Sequence, residues 1–245
     1  MDITWATNLP LKITVARESK DPSRPSDQKI YYTSTKLLSF LPVTVNQTRQ
    51  FFNREKETPV WFSYQGSAIR WHLPVGLLLD LYNVSTDVWP IEVNFSPVPP
   101  EIEDLSMSLL ESSFCMSLKE ADQIRSRSER INLFQKQDFK RLWNAIQNSS
   151  LEEWRSVANQ LLRSKNGDFK IPVKFHYDNT YFQNPTEVED TVQAALEKAL
   201  AGHQFSPENF KVVLLGTELA ADMPLRELSD FSYPDTFLHL VLQRA

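Results

Sequence analysis

Cys115 and Lys119 stand four residues apart in Phe114-Cys115-Met116-Ser117-Leu118-Lys119, so on a helix a thiol and an amine would share one side. A reactive cysteine needs a neighbour that lowers its pKa. An apolar run such as this one is instead where a buried, unreactive thiol is expected, so cysteine-protease and thioester chemistry are not anticipated. Carboxylates cluster at Glu101, Glu103 and Asp104, at Glu152 and Glu153, and at Glu187, Glu189 and Asp190. Each cluster precedes or opens a predicted helix, where negative charge suits the positive end of the dipole. Helix capping, not acid–base catalysis, is the expected role.

Other chemistries drop out on spacing. His72, His176, His203 and His239 are at least 27 residues apart, so no local ligand pair forms, and one cysteine excludes both an internal disulfide and a multi-cysteine zinc site. His72 and His239 are read as structural. The five glycines are never closer than ten residues, too sparse for a phosphate-cradling loop, which removes dinucleotide and P-loop enzymes. No metal site, no cofactor and no catalytic constellation are expected. A net charge of −5 argues against a nucleic-acid partner. The lone cysteine, a start without the basic and apolar stretches of a secretory signal, and the lack of an apolar run of ~18 residues point to a cytoplasmic protein.

Charge is nevertheless uneven. Residues 119–141 carry seven Lys and Arg against four Asp and Glu, whereas residues 178–245 carry four against eleven. Lys136 and Lys140 lie one helical turn apart. Together with Arg141 they form a basic face with two readings: an ordinary solvated helix face, which composition alone favours, or a contact for anionic lipid, which attracts each such residue by about 1 kcal/mol near a membrane surface.

The elements that must position these groups are marked out by proline. All fifteen prolines lie at 10–100 or 172–234. The gap between them is where long helices fit, because an interior proline costs a helix about 3 kcal/mol. The spacing predicts helices over about 107–125, around Phe139, Leu142, Trp143 and Ile146, and around Trp154, Val157, Ala158, Leu161 and Leu162, with Ser150 and Glu153 as a capping box between the last two. Before the gap, strands are predicted at Leu11–Ala16, Ile30–Ser34, Val60–Tyr64, Ala68–Trp71 and Pro90–Phe95, with helices after Pro42 and from Pro74 to Leu81. After it, strands fall at 169–177, 180–184, 211–215 and Phe237–Leu242, with helices over Glu187–Ala201 and from Pro224.

The two flanks are copies. An offset of 150 carries Gly66 to Gly216, Ser67 to Thr217, Ile69 to Leu219, Pro74 to Pro224, Leu78 to Leu228 and Asp80 to Asp230 without a gap, which is the mark of an internal duplication. Strands wrapped round one helix in this order make a ubiquitin-like roll. The predicted fold is therefore α+β, with two ubiquitin-like (β-grasp) folds flanking a helix-rich domain. The expected divisions are a short N-terminal helix in 1–10, the first roll at 11–97, the helical part at 101–165 and the second roll at 168–245. Abundant tryptophans suit the seams between modules or a groove for a partner's amphipathic helix, where Ile3, Trp5 and Trp71 are the candidates.

Four blocks resemble the autophagy protein 5 family: Trp71-His72-Leu73-Pro74-Val75-Gly76-Leu77-Leu78-Leu79-Asp80-Leu81, Leu118-Lys119-Glu120-Ala121-Asp122, Lys140-Arg141-Leu142-Trp143-Asn144, and Ser232-Tyr233-Pro234-Asp235-Thr236-Phe237-Leu238-His239. The resemblance covers nearly the whole chain and departs at 17–29 and in the short tail. It implies that Lys119 accepts the C-terminal glycine of the ubiquitin-like autophagy protein 12 through an isopeptide bond. An E1-like enzyme, autophagy protein 7, and an E2-like enzyme, autophagy protein 10, would make that bond. The resemblance further implies that the conjugate binds the N-terminal helix of autophagy protein 16 and acts as a non-catalytic, E3-like complex on the E2-like autophagy protein 3. Autophagy protein 8 would thereby reach phosphatidylethanolamine at the phagophore assembly site, with this chain a peripheral membrane component. An alkyl ammonium is no nucleophile, so the thioester-bearing enzyme must orient and deprotonate the lysine. The chain ends Leu242-Gln243-Arg244-Ala245 without the glycine a modifier conjugates through, so it is expected to accept a modifier and not to act as one. The alternative is a noncovalent adaptor that binds partner helices.

Overall fold

The computed structural model describes residues 2–100, 102, 106–162 and 170–244, apart from the side chains of residues 2 and 3. In chain order the first part contains α1 (Asp2–Ala6), β1 (Asn8–Val15), β2 (Tyr31–Lys36), α2 (Val45–Phe51), β3 (Trp61–Tyr64), β4 (Ser67–Ala68), α3 (Val75–Leu81) and β5 (Trp89–Asn94). Leu9, Leu11, Ile13 and Val15 alternate inward along β1, the two-residue period of a strand with one buried face. β1 pairs antiparallel with β2 and parallel with β5, giving the sheet order β2-β1-β5-β3-β4.

The last part repeats the plan with β7 (Val173–Tyr177), β8 (Thr180–Phe182), α7 (Val192–Leu200), β10 (Phe210–Leu214), β11 (Thr217–Glu218), α8 (Leu225–Leu228) and β12 (Leu238–Arg244). Its sheet runs β8-β7-β12-β10-β11, with β7 and β12 the parallel pair. The repeat extends to the backbone. Gln65 and Gly66 have φ of 50° and 80°, and Leu215 and Gly216 have 49° and 79°. Two successive left-handed residues make the tight hairpin that matches strand twist, and glycine takes the second place without strain. Ile69 N–H donates to the Phe62 carbonyl at 2.9 Å and Leu219 N–H to the Val212 carbonyl at 2.8 Å, again 150 residues apart.

Between the sheets lie α4 (Met107–Ser126), α5 (Lys136–Gln147) and α6 (Leu151–Leu162). The Ser106 hydroxyl caps α4, and Gln135 with Asp138 forms a reciprocal capping box for α5. Glu153 N–H donates to the Ser150 Oγ at the start of α6, at 3.3 Å. Leu110, Phe114, Leu118 and Ala121 form the buried stripe of α4.

The structure moves several predicted boundaries. Pro172 interrupts the expected strand at 169–177, leaving a separate pair of β6 (Lys170–Ile171) and β9 (Thr186–Glu187) outside the main sheet. α7 starts at Val192, because the Thr191 hydroxyl accepts Ala194 N–H as its cap. Glu187, Glu189 and Asp190 therefore do not open a helix: they face Lys170, Arg226 and Lys198 at 3.4, 2.8 and 2.6 Å. Glu152 and Glu153 do sit in the first turn of α6, and Glu101, Glu103 and Asp104 lie outside the described residues. Of the strand expected at Ala68–Trp71 only Ala68 is paired, in β4 with Ser67, whereas β1 begins earlier than expected, at Asn8.

Candidate functional site

The α4 helix is fastened to the second sheet by polar side chains on one side. Ser117 Oγ donates to Asp235 Oδ2 at 2.6 Å, Lys174 Nζ meets Glu120 Oε2 at 2.7 Å, and Gln183 donates to Glu120 Oε1 at 3.1 Å. One turn further on, Arg125 donates to the hydroxyl and the carbonyl of Thr236, at 3.0 and 2.8 Å. Burial pulls the Arg125 guanidinium down to about 10, with Asp122 and Asp235 acting against it. The turn that receives these bonds is set by Thr236, whose φ is 68°.

Behind Asp235 the polar chain continues inward. His239 contacts Asp235 at 3.0 Å and shares a 2.8 Å hydrogen bond with His176. Burial works against the Asp235 carboxylate, but His239, Ser117 and Lys174 overcome it and hold the carboxyl down to about 2. Burial, helped by His239, keeps His176 well below its ordinary pKa, so it stays neutral. The seryl hydroxyl meets the carboxylate and not a histidine, so this is a structural clamp and not a nucleophile–base relay.

Lys119 lies two residues from Ser117, roughly 200° round the helix from it, and is exposed. Its Nζ stands 5.3 Å from the centroid of the Phe139 ring on α5. Cys115, one turn earlier, is half-buried. Burial and Glu111 push its thiol up, partly offset by Lys119, which makes it a weak nucleophile. Lys136, Lys140 and Arg141 are all exposed, and Arg141 donates to Ser156 Oγ at 3.0 Å. The Ile131–Leu133 turn beside them carries Leu133 at 79% exposure, a feature composition did not reveal.

A cavity of about 520 Å³ opens where the three modules meet. Phe40 and Leu73 from the first fold, Phe114 and Met116 from α4, and Tyr181 and His239 from the second line it. A larger one, about 950 Å³, lies between α2, the 97–100 prolines and the start of α4, and Trp71 lines it with Pro42, Val45 and Leu109. Of the three residues expected in a partner groove, Trp71 thus borders a cavity but is only 4% exposed. Trp5 is equally buried, its ring 5.6 Å from that of Trp154, so it packs inside the molecule and offers no open groove wall. The Ile3 side chain lies outside the described residues.

The four sequence blocks all fall on seams between modules. Gly76 is packed so closely that a β-carbon there would come within 2.9 Å of Leu215 Cδ2 and 3.2 Å of the Tyr233 hydroxyl. The Asp80 carboxylate accepts the N–H groups of Leu215 and Gly216. The Trp143 ring packs against both Phe40 and Phe114, at 5.9 and 5.7 Å between centroids. Trp154 Nε1 donates to the Pro234 carbonyl at 3.0 Å. Among the described residues no cluster of three His, Cys, Asp or Glu side chains suits a metal ion, and no helix is long and apolar enough to cross a membrane.

Comparison with known proteins follows the same three-part division. Family models described as the UblA domain, the alpha-helical bundle region and the UblB domain of autophagy protein ATG5 match residues 4–95, 107–164 and 170–242. Autophagy protein 5 of Drosophila melanogaster is 29% identical over 229 residues, covering 86% of this chain and 85% of that protein. Autophagy protein 5 of Neosartorya fischeri is 32% identical over 204 residues, 70% of this chain and 62% of that one. The crystal structure of Kluyveromyces marxianus Atg5 shares the fold, with a TM-score of 0.85 at 21% identity over 99% of this chain and 98% of that one. Two ubiquitin-like folds clamped about a helical bundle, matched module by module along the sequence, place this chain in the autophagy protein 5 family.

Proposed function

We propose that the chain serves autophagy as an acceptor and scaffold: Lys119 takes the C-terminal glycine of the ubiquitin-like autophagy protein 12 in an isopeptide bond. The observation that carries this reading is the placement of Lys119. It is an exposed amine on a helix whose other side is clamped by Ser117, Glu120 and Arg125. A fixed helix presents the amine at a defined position, which supports attack on a thioester brought by the E1-like and E2-like autophagy proteins 7 and 10. Glu120 is engaged by Lys174 and Gln183, so the base that deprotonates the amine is assigned to the donor enzyme.

In this reading the chain supplies no nucleophile of its own in later steps. The 520 Å³ cavity at the junction of the three modules, lined by both apolar and polar side chains, is assigned to the N-terminal helix of autophagy protein 16. The exposed Lys136, Lys140 and Arg141 are assigned to anionic lipid at the phagophore membrane. The complex then acts in the manner of an E3, bringing the E2-like autophagy protein 3 to the membrane where autophagy protein 8 is joined to phosphatidylethanolamine.

The test is reconstitution with the modifier, the E1-like and E2-like enzymes, and either the natural chain or Lys119→Arg. A covalent product about the size of both chains, lost in the variant, is the expected result. A stable but noncovalent complex with both chains would replace this reading with that of an adaptor. Unchanged liposome binding after charge reversal at Lys136, Lys140 and Arg141 would remove the lipid assignment.

A further inference from the structure

We infer that Phe139 is a positioning residue for the Lys119 amine, a ring platform that holds the nitrogen where a thioester can be delivered to it. The inference rests on Lys119 being the acceptor. Clamping α4 fixes the Lys119 Cα but not the nitrogen, which hangs on four rotatable bonds. The platform supplies that second constraint from a different helix. Phe139 is half-buried in α5, and its ring is braced at its edge by Phe134, at 5.8 Å and an interplanar angle of 67°. The Lys119 nitrogen is 5.3 Å from the ring centroid, inside the ~6 Å range over which a cation is drawn to a ring face.

The type of contact matters as much as its distance. A carboxylate partner would hold the ammonium in an ion pair that reaction must break. The nearest one in sequence, Glu120, is turned to Lys174. A ring confines the amine weakly and gives it up without leaving an unpaired charge behind. In the transfer itself the ammonium first loses a proton to a base of the donor enzyme, and the nitrogen then attacks the thioester carbonyl carbon. The C–N bond forms and the C–S bond breaks. The sulfur leaves with the bonding pair and ends as a thiol, taking up the second proton released by nitrogen. Phe139 takes no part in these bonds and acts only through Lys119.

Two measurements on the full chain separate this inference from the reading it rests on. In the first, the chain is labelled with ¹³C at lysine Cε and its NMR spectrum is recorded without any partner. Ring-current displacement of the Lys119 Cε protons, lost in Phe139→Leu and retained in Phe139→Tyr, is expected. An unshifted signal in the natural chain would overturn the platform even if Lys119 proved to be the acceptor. In the second, single-turnover discharge of the preformed E2–modifier thioester is followed against chain concentration. Phe139→Leu is expected to lower the maximal rate constant about three- to tenfold with the half-saturating concentration unchanged, and Phe139→Tyr to restore it. An undiminished rate in Phe139→Leu, a change confined to half-saturation, or failure of Phe139→Tyr to rescue a folded protein would each refute the inference. Lys119→Arg forming the same product would refute the acceptor reading and the platform's purpose with it, while leaving the ring contact intact.

Discussion

The carboxylate of Asp80, at the end of α3, accepts the backbone N–H groups of Leu215 and Gly216 at 2.6 and 2.7 Å, so one ubiquitin-like fold is held by the other's hairpin turn. Gln243 adds a third bond, donating to the Asp80 carbonyl at 2.9 Å. The counterpart of Asp80 in the second copy, Asp230, is exposed. Duplication supplied the aspartate twice, and only the first became a contact between modules.

Replacing Asp80 by Asn should weaken the seam, since an amide can accept one N–H but turns its own donor toward the other. The expected loss is about 1–3 kcal/mol in urea unfolding. Burial pushes the Asp80 carboxyl up to about 6 from 3.8, against the pull of the two N–H groups. The folded chain thus binds this proton at a higher pH than the unfolded chain. Through this group stability rises as pH falls from about 6 to 3.8 and is lost as pH rises again. The stability gap between the natural chain and Asp80→Asn should therefore be wider at pH 5 than at pH 7, and a gap independent of pH would contradict it.

Asp235 has the opposite sign. Its carboxyl is held down to about 2 against an ordinary 3.8, so its contribution is complete above the ordinary value and disappears as pH falls toward the lower one. Asp235→Asn should cost about 2 kcal/mol at neutral pH. Unfolding midpoints of the two chains should begin to converge only below about pH 4.

Gly76→Ala tests close packing. The new methyl would lie 2.9 Å from Leu215 Cδ2 and 3.3 Å from the Leu37 carbonyl oxygen. Overpacking of this order costs about 1–3 kcal/mol. Because the nearest atom is the end of a side chain, adding Leu215→Ala should make the double variant less destabilised than the sum of the two single changes. Strict additivity in a double-mutant cycle would show that the clash with Leu215 is not the source of the cost.

Trp154→Phe should remove the bond to the Pro234 carbonyl and leave a buried acceptor unmatched, for about 1–2 kcal/mol. A lowered unfolding temperature in Trp154→Phe is the expected result of thermal unfolding. A neutral substitution would place the weight of this seam on the Trp5–Trp154 ring contact.

Secondary structure was legible where local chemistry dictates it. The proline-free stretch became α4, α5 and α6, and Gly66 and Gly216 marked hairpins because their left-handed backbone suits glycine. The boundary of α7 was misplaced because the acidic run Glu187–Asp190 reads like a helix start. Its side chains instead meet Lys170, Arg226 and Lys198, which only the folded chain brings near. Between β1 and β2, a buried ion pair of Asp27 with Arg54 at 2.8 Å pins the connecting segment to the core, a contact that no local pattern announces because the two residues are 27 positions apart.

By itself, the amino-acid order determined two copies of one roll, a helical stretch between them and the position of a lysine on that stretch, because periodicity, proline exclusion and turn chemistry act over a few residues. Tertiary structure alone decided which side of α4 is clamped and which is free, that Trp5 points inward, and that Phe139 lies beneath Lys119. Those relations join residues 20 to 150 positions apart. They depend on how three modules pack, and no local preference along the chain encodes that.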